Sequence, residues 1–170
     1  VGDSDKDGIL DGREVSEGLD PLRPDFFVDP GGSDGATGKE DAPWRTIQKA
    51  LTIAAGKGAE VVAAAGTYAG PFVVPDGIRL VGAGRLVAFL DGNGSPNAVV
   101  LGAGASLRGF TVTGASFSGI FSSAAGVLIE RCRIAGNGAG TTTGAGGGIC
   151  LSDASGAVVR DNIIEGNRAL

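Results

Sequence analysis

From Ala59 onward the chain alternates short apolar runs with Gly, Asn and Asp, and no helical period survives. Such runs, bounded by turn residues, read as short strands. Three of them align: LRGFTVTGA (107–115), IERCRIAGN (129–137) and VRDNIIEGN (159–167) put Val112, Ile134 and Ile164 at equivalent places, 22 and 30 residues apart. Upstream of these, SGIFSS (118–123) and GGICLS (147–152) match as well, with Ile120 and Ile149 separated by 29. One coil of this kind cannot bury its apolar face alone, and stacked coils bury a continuous core. The stretch from Ala59 to Leu170 has room for about five coils. The extra length of the later one fits an inserted GAGTTTGAGGG loop, exposed and flexible.

Before the repeats the pattern changes. Phe26-Phe27-Val28 reads as a short strand ended by Asp29-Pro30-Gly31-Gly32. Pro43 suits a first helical turn, and Trp44, Ile47, Leu51, Ala54 and Ala55 recur at helical spacing up to Gly56 and Gly58. The segments VDPGGSDGATGKEDAPWRTIQKALTIAA, AGTY and GIRLVGAG together resemble the opening of right-handed parallel β-helix proteins of the pectin-lyase-like superfamily. The turn pattern from Asn162 to Asn167 is similar too, repeated one coil earlier by Ile134 and Asn137 with Cys132 in place of the first asparagine. The resemblance covers most of the chain. It implies an all-β fold: a right-handed parallel β-helix solenoid with a short N-terminal capping helix from which Trp44 plugs the end. It also implies that Asn137, Asn162 and Asn167 are turn residues, able to take positive φ and to ladder between coils.

Charge divides the chain. Residues 1–41 hold 12 acids and 4 bases, and residues 42–170 hold 7 acids and 10 bases, so a head of −8 precedes a body of +3. Two modules are expected, 1–25 and 26–170, with the body's melting nearly independent of the head. No basic stripe points to nucleic acid, and no apolar run is long enough to span a membrane. The start at Val1 and the stop just after a turn signal suggest a slice of a longer protein, with coils missing at the C-terminus. Cys132 and Cys150 do not make a disulfide framework and read as two small buried residues.

The acidic head carries DSDKDGILDGRE, residues 3–14. A hard cation such as Ca²⁺ takes six to eight oxygens, and a twelve-residue loop supplies them at fixed positions. Asp3, Asp5 and Asp7 stand at positions one, three and five, and Gly8 allows the turn at six. Ile9 offers its carbonyl, Asp11 a water-mediated contact, and Glu14 both carboxylate oxygens at position twelve. Leu10 is free to point into an apolar contact. A calcium sensor needs a helix on each side of the loop. Here two residues precede Asp3, and about one helical turn follows before Gly18 and Pro21. The stretch DSDKDGILDGREVSEGLDPLRPD instead resembles the thrombospondin type 3-like repeats of bacterial secreted proteins, which implies a calcium-stiffened spacer. A next unit would open at Asp25, but Phe26-Phe27 follows and the array ends.

Function has to be argued from a site, because this scaffold serves many tasks. Relatives in the superfamily act on acidic polysaccharides, lyases through an arginine or lysine base and hydrolases through clustered aspartates with a histidine. This chain has no histidine. Its late coils offer Arg131, Arg133 and Arg160 with Asp153 and Asp161, either an anionic-glycan contact with a lyase-like base or surface ion pairs. Glu130 and Asp161 form a candidate carboxylate pair, and Trp44 and Tyr68 could stack on sugars. The expectation is a secreted or cell-surface calcium-binding module, structural or binding a polysaccharide or surface glycan, with enzyme activity left open because this fragment shows no catalytic constellation. The alternative is the N-terminal part of a polysaccharide lyase or glycoside hydrolase.

Overall fold

The computed structural model describes residues 2–7, 9–17, 19–138 and 146–169. Gly8, Gly18 and most of the glycine- and threonine-rich insertion, residues 139–145, lie outside them. A helix α1 (Asp11–Glu17), a strand β1 (Asp25–Val28) and a second helix α2 (Ile47–Ala54) precede the repeats. The first coil is β2 (Glu60–Ala63), β3 (Gly66–Ala69) and β4 (Phe72–Val74). The second is β5 (Arg79–Gly82), β6 (Ala88–Asp91) and β7 (Asn97–Leu101). The third is β8 (Ser106–Arg108), β9 (Thr111–Thr113) and β10 (Ser118–Ser122). The fourth is β11 (Leu128–Glu130), β12 (Arg133–Ala135) and β13 (Gly147–Leu151), and β14 (Val158–Arg160) and β15 (Ile163–Glu165) begin a fifth. Each strand pairs in parallel with its counterpart one coil away, in three sheets ordered β1-β2-β5-β8-β11-β14, β3-β6-β9-β12-β15 and β4-β7-β10-β13. The chain is an all-β parallel β-helix.

Period-two alternation sends every second side chain inward, so the core is a set of ladders. Phe26, Val61, Leu80, Leu107, Ile129 and Val159 stack along the first sheet. Tyr68, Leu90, Val112, Ile134 and Ile164 stack along the second, and Phe72, Val99, Ile120 and Ile149 along the third. The aligned isoleucines and valine of the sequence repeat are therefore direct neighbours. In β14 and β15, which have a neighbour on one side, Val158, Val159, Ile163 and Ile164 are exposed.

The corners differ from expectation. The left-handed residues are not these asparagines: Asp161 (φ 58), before Asn162, and Arg131 (φ 54), before Cys132, stack on Gly109 (φ 76) at one corner. The asparagines do ladder. Asn162 Oδ1 accepts the Cys132 N–H at 2.8 Å, while its Nδ2 donates to the Ile129 carbonyl at 2.8 Å. Asn137 donates through Nδ2 to the Val112 carbonyl and to Asn167 Oδ1, both at 3.0 Å. These amides satisfy backbone groups that the turns remove from the ladders.

The capping helix starts later than its apolar spacing suggests. Asp34 accepts the N–H groups of Arg45 and Thr46 at 3.0 and 2.9 Å and the Thr46 hydroxyl at 2.8 Å. Thr46 in turn caps the helix by accepting the Lys49 N–H. Pro43 and Trp44 stay in an extended segment, where Trp44 bridges Val28 in parallel. Trp44 is buried there, stacked on Phe26 with ring centroids 5.4 Å apart, and its Nε1 donates to the Ala36 carbonyl. Tyr68 is buried too, its hydroxyl donating to Ala64 and Val28 carbonyls, so neither ring is presented to a sugar.

Cys132 is fully buried and Cys150 only partly, and both are free thiols. Burial pushes the Cys132 thiol up to about 11. A thiol reagent at neutral pH is expected to modify Cys150 quickly and Cys132 only after denaturation. Equal labelling of both in the native protein would contradict this packing.

Candidate metal centre

The acidic loop folds back on itself through its own side chains. Asp7 N–H donates to Asp5 Oδ1 at 3.2 Å and Ile9 N–H to Asp7 Oδ1 at 2.8 Å. Carboxylate oxygens of Asp3, Asp5 and Asp7 come within 4.8 Å of one another. Ile9 is the buried apolar residue of the loop and Leu10 is 49% exposed, the reverse of the expected packing. The reason is local: α1 begins at Asp11, and Leu10 stands on its outer side as the carbonyl acceptor for Arg13 and Glu14. The helix runs for seven residues, longer than the single turn expected, and it carries Glu14 inward. Asp11 does not join the cluster, because its two oxygens accept the Ser4 N–H and hydroxyl at 2.8 and 2.9 Å.

A second triad shares Asp7. Oxygens of Asp7, Glu14 and Asp25 also lie within 4.8 Å of one another. Glu14 is 0% and Asp25 5% exposed, and none of their four carboxylate oxygens has a hydrogen-bond partner. Leaving buried carboxylates unmatched is costly, and acids in such settings shift toward the neutral form. Burial, then the charges of Asp5, Asp7, Asp11 and Asp3, push Glu14 up to about 7. Burial, then Glu60, Asp7, Glu14 and Asp5, push Asp25 up to about 8. Asp5 is also raised, by burial first. An oxygen-only, strongly anionic, buried donor set suits a hard divalent cation, so these residues fit calcium.

The cluster is not isolated from the β-helix. Asp25 is the first residue of β1, and its N–H donates to Asp7 Oδ2 at 2.8 Å. Arg13 on α1 makes a two-armed contact with Glu40, one arm at 2.7 Å, and pairs with Glu17 at 2.8 Å. Further on, Asp20 N–H donates to Glu60 Oε2, and Arg79 meets the other oxygen of Glu60 at 2.6 Å. Arg23 donates to the carbonyls of Gly58 and Gly77.

The other candidates are dispersed. Arg160 pairs with Glu130 at 2.6 Å and Arg133 with Glu165 at 2.7 Å, on different sheets. Glu130 also faces Arg108 at 3.7 Å, so it is committed to arginines across neighbouring coils. Arg131 and Asp161 are corner residues, and Asp153 is another left-handed turn residue. Arg131 and Asp161 line an open groove of about 760 Å³ with Arg85, Arg108 and Asn162, where Arg85 donates to the Asp161 carbonyl. Of these pairs Arg133–Glu165 is exposed, and an exposed ion pair is worth roughly 0–1 kcal/mol.

Residues 30–170 match the model of a family described as a protein of unknown function, DUF1565. The chain belongs to the DUF1565 family. No curated protein matches it.

The DUF1565 match begins after the carboxylate cluster, whose last member is Asp25. The structure nonetheless places Asp25 on the same sheet as the DUF1565 coils, in register with Glu60. The acidic repeat pattern treats Asp25 only as the point where the array ends. The signal available in the sequence is an acid opening an apolar strand, a place where a solvated charge has no ready exit. No helix among the described residues is long and apolar enough to cross a membrane.

Proposed function

We propose that this chain is a secreted or cell-surface calcium-binding β-helix module that presents a surface to polysaccharide or other glycan. The observation that carries the calcium part is the pair of buried, partnerless carboxylates, Glu14 and Asp25, facing Asp7. Asp3, Asp5, Asp7 and Glu14 would hold the ion through side chains and Ile9 through its carbonyl, while Asp11, expected as a water-mediated ligand, braces the loop through Ser4. The ion would neutralise the cluster and stiffen the head, as in thrombospondin type 3-like spacers. Extracellular modules bind calcium at roughly 10⁻⁴–10⁻³ M, so such a site fills outside the cell. The glycan part is supported by the groove holding Arg85, Arg108 and Arg131. Guanidinium groups pair with carboxylates in two-armed fashion, which suits an acidic saccharide. A pectin-lyase-like ancestry of the coils belongs to the same proposal.

The lyase or hydrolase alternative has less behind it. Arg133 and Arg160 are engaged with Glu165 and Glu130, and Glu130 is held by arginines and not set up as half of an acid–base pair.

Calcium titration by calorimetry, and retention of the protein on acidic and neutral polysaccharides with calcium or chelator, test both halves. We expect calcium binding, retention on an acidic glycan that weakens with salt, and loss of retention in Arg131→Ala. Release of unsaturated products or new reducing ends would instead favour the enzyme reading.

A further inference from the structure

We propose that Asp25 is itself a ligand of the calcium ion held by the Asp3–Glu14 loop, so that the ion fastens the loop to the first strand of the β-helix. The inference rests on the calcium reading above. A twelve-residue loop supplies its own donors, and the repeat pattern marks Asp25 only as the place where a next unit would open, not as a donor to this loop. The structure brings that acid to the loop all the same. Asp25 is 5% exposed with both oxygens lacking hydrogen-bond partners, and an oxygen of each of Asp7, Glu14 and Asp25 falls within 4.8 Å of the others. The three come from three segments: the loop, α1 and β1. Asp25 cannot swing away freely, because its own N–H is held by Asp7 Oδ2 and its neighbour Pro24 accepts the Glu60 N–H.

The wider column explains why a cation is needed at this end of the sheet. Asp25 and Glu60 are in register on adjacent strands, and Glu60 and Arg79 are next. Glu60 is matched by Arg79 at 2.6 Å. Asp25, at the edge of the sheet, has no such arginine among the described residues. Like charges facing each other across a strand pair are destabilising, so a bound ion supplies the positive charge missing between Asp25 and Glu60. On this reading the two modules expected from charge are joined by the metal. Calcium would order the first strand and not only a spacer.

The test compares the whole chain with Asp25→Asn, Glu14→Gln and Asp41→Asn, the last an exposed acid near the site but outside the cluster. Calcium affinity and melting with calcium or chelator are measured for each. Hydrogen exchange at residues 25–28 and 60–63 is followed in the unaltered chain. We expect Asp25→Asn to weaken calcium binding about tenfold or more and to shrink the calcium-induced rise in Tm. Its melting in chelator should equal or exceed that of the parent, because a repelling charge is gone. Asp41→Asn should change neither. Calcium should slow exchange at 25–28 and 60–63, a readout that needs no variant to fold. If Asp25→Asn binds calcium like the parent while Glu14→Gln does not, the loop site stands and the clamp falls. If Asp25→Asn melts lower in chelator as well, Asp25 is a structural residue and the clamp also falls. If the parent chain binds no calcium, both readings fall together.

Discussion

Phe110→Ala is expected to lower the stability of the β-helix by about 3–5 kcal/mol, enough to leave much of the chain unfolded at moderate temperature. Phe110 sits at the corner between β8 and β9 and is fully buried. Its ring lies against Gly82 on the coil before, so closely that a Cβ on Gly82 would stand 2.8 Å from the ring edge. On the next coil the equivalent place belongs to Cys132, whose neighbour Arg133 donates its N–H to the Phe110 carbonyl. The ring therefore fills the corner between two sheets and three coils. Removing it opens a cavity that the parallel ladders cannot close without breaking register. Phe121 is the internal control. It lies on β10 between Val100 and Cys150, on the half-buried face of its strand. Phe121→Ala should cost far less, because it removes surface cover and leaves no cavity. Urea denaturation of both variants decides: comparable losses would mean that the corner packing is not what holds the coils.

The same corner shows what the sequence can and cannot say. Val112, Ile134 and Ile164 align from the residue pattern alone, since stacking forces each coil to repeat the inward position of its neighbour. Ile120 and Ile149 follow for the same reason. The left-handed positions cannot be found that way. Asparagine tolerates positive φ, yet here Asp161 takes it, because the Asn162 side chain is needed inside to bond the backbone of the adjacent coil, and Arg131 takes the same place one coil earlier, before Cys132. Helical spacing likewise runs past the true start of α2, because Asp34, well before it in sequence, captures Thr46 and leaves Trp44 to pair with Val28. Most of the candidate metal site is readable as a local pattern, with acids spaced along twelve residues. Asp25 is not, because what ties it to the loop is a contact outside the twelve-residue spacing, its N–H on Asp7 Oδ2. Asp11 departs from the pattern for a smaller reason, a nearby serine that takes both of its oxygens.

Calcium affinity is expected to fall by a factor of about ten or more between pH 8 and pH 6. Glu14 is raised from 4.5 to about 7 and Asp25 from 3.8 to about 8, in each case by burial first and neighbouring carboxylates next. Protons and calcium compete for the same oxygens, so below these values the ion has to displace protons and above them it does not. The sign for stability is the opposite of a salt-bridged acid. A carboxyl raised in the folded state favours folding most at pH below its ordinary value, and that contribution is lost as pH rises through the folded value. The chelated protein should therefore melt lower as pH climbs from about 5 to about 8.5, while the calcium-loaded protein should not. The calcium-induced rise in Tm then grows with pH. With free calcium near a hundred times the dissociation constant it should reach about 2.7 kcal/mol, or roughly 5–10 °C for a chain of this size. Scanning calorimetry across this range, with calcium and with chelator, reads the effect directly. A calcium-induced shift that stays constant from pH 6 to pH 8 would mean that Glu14 and Asp25 do not meet the ion, since no displaced proton would then be linked to its binding.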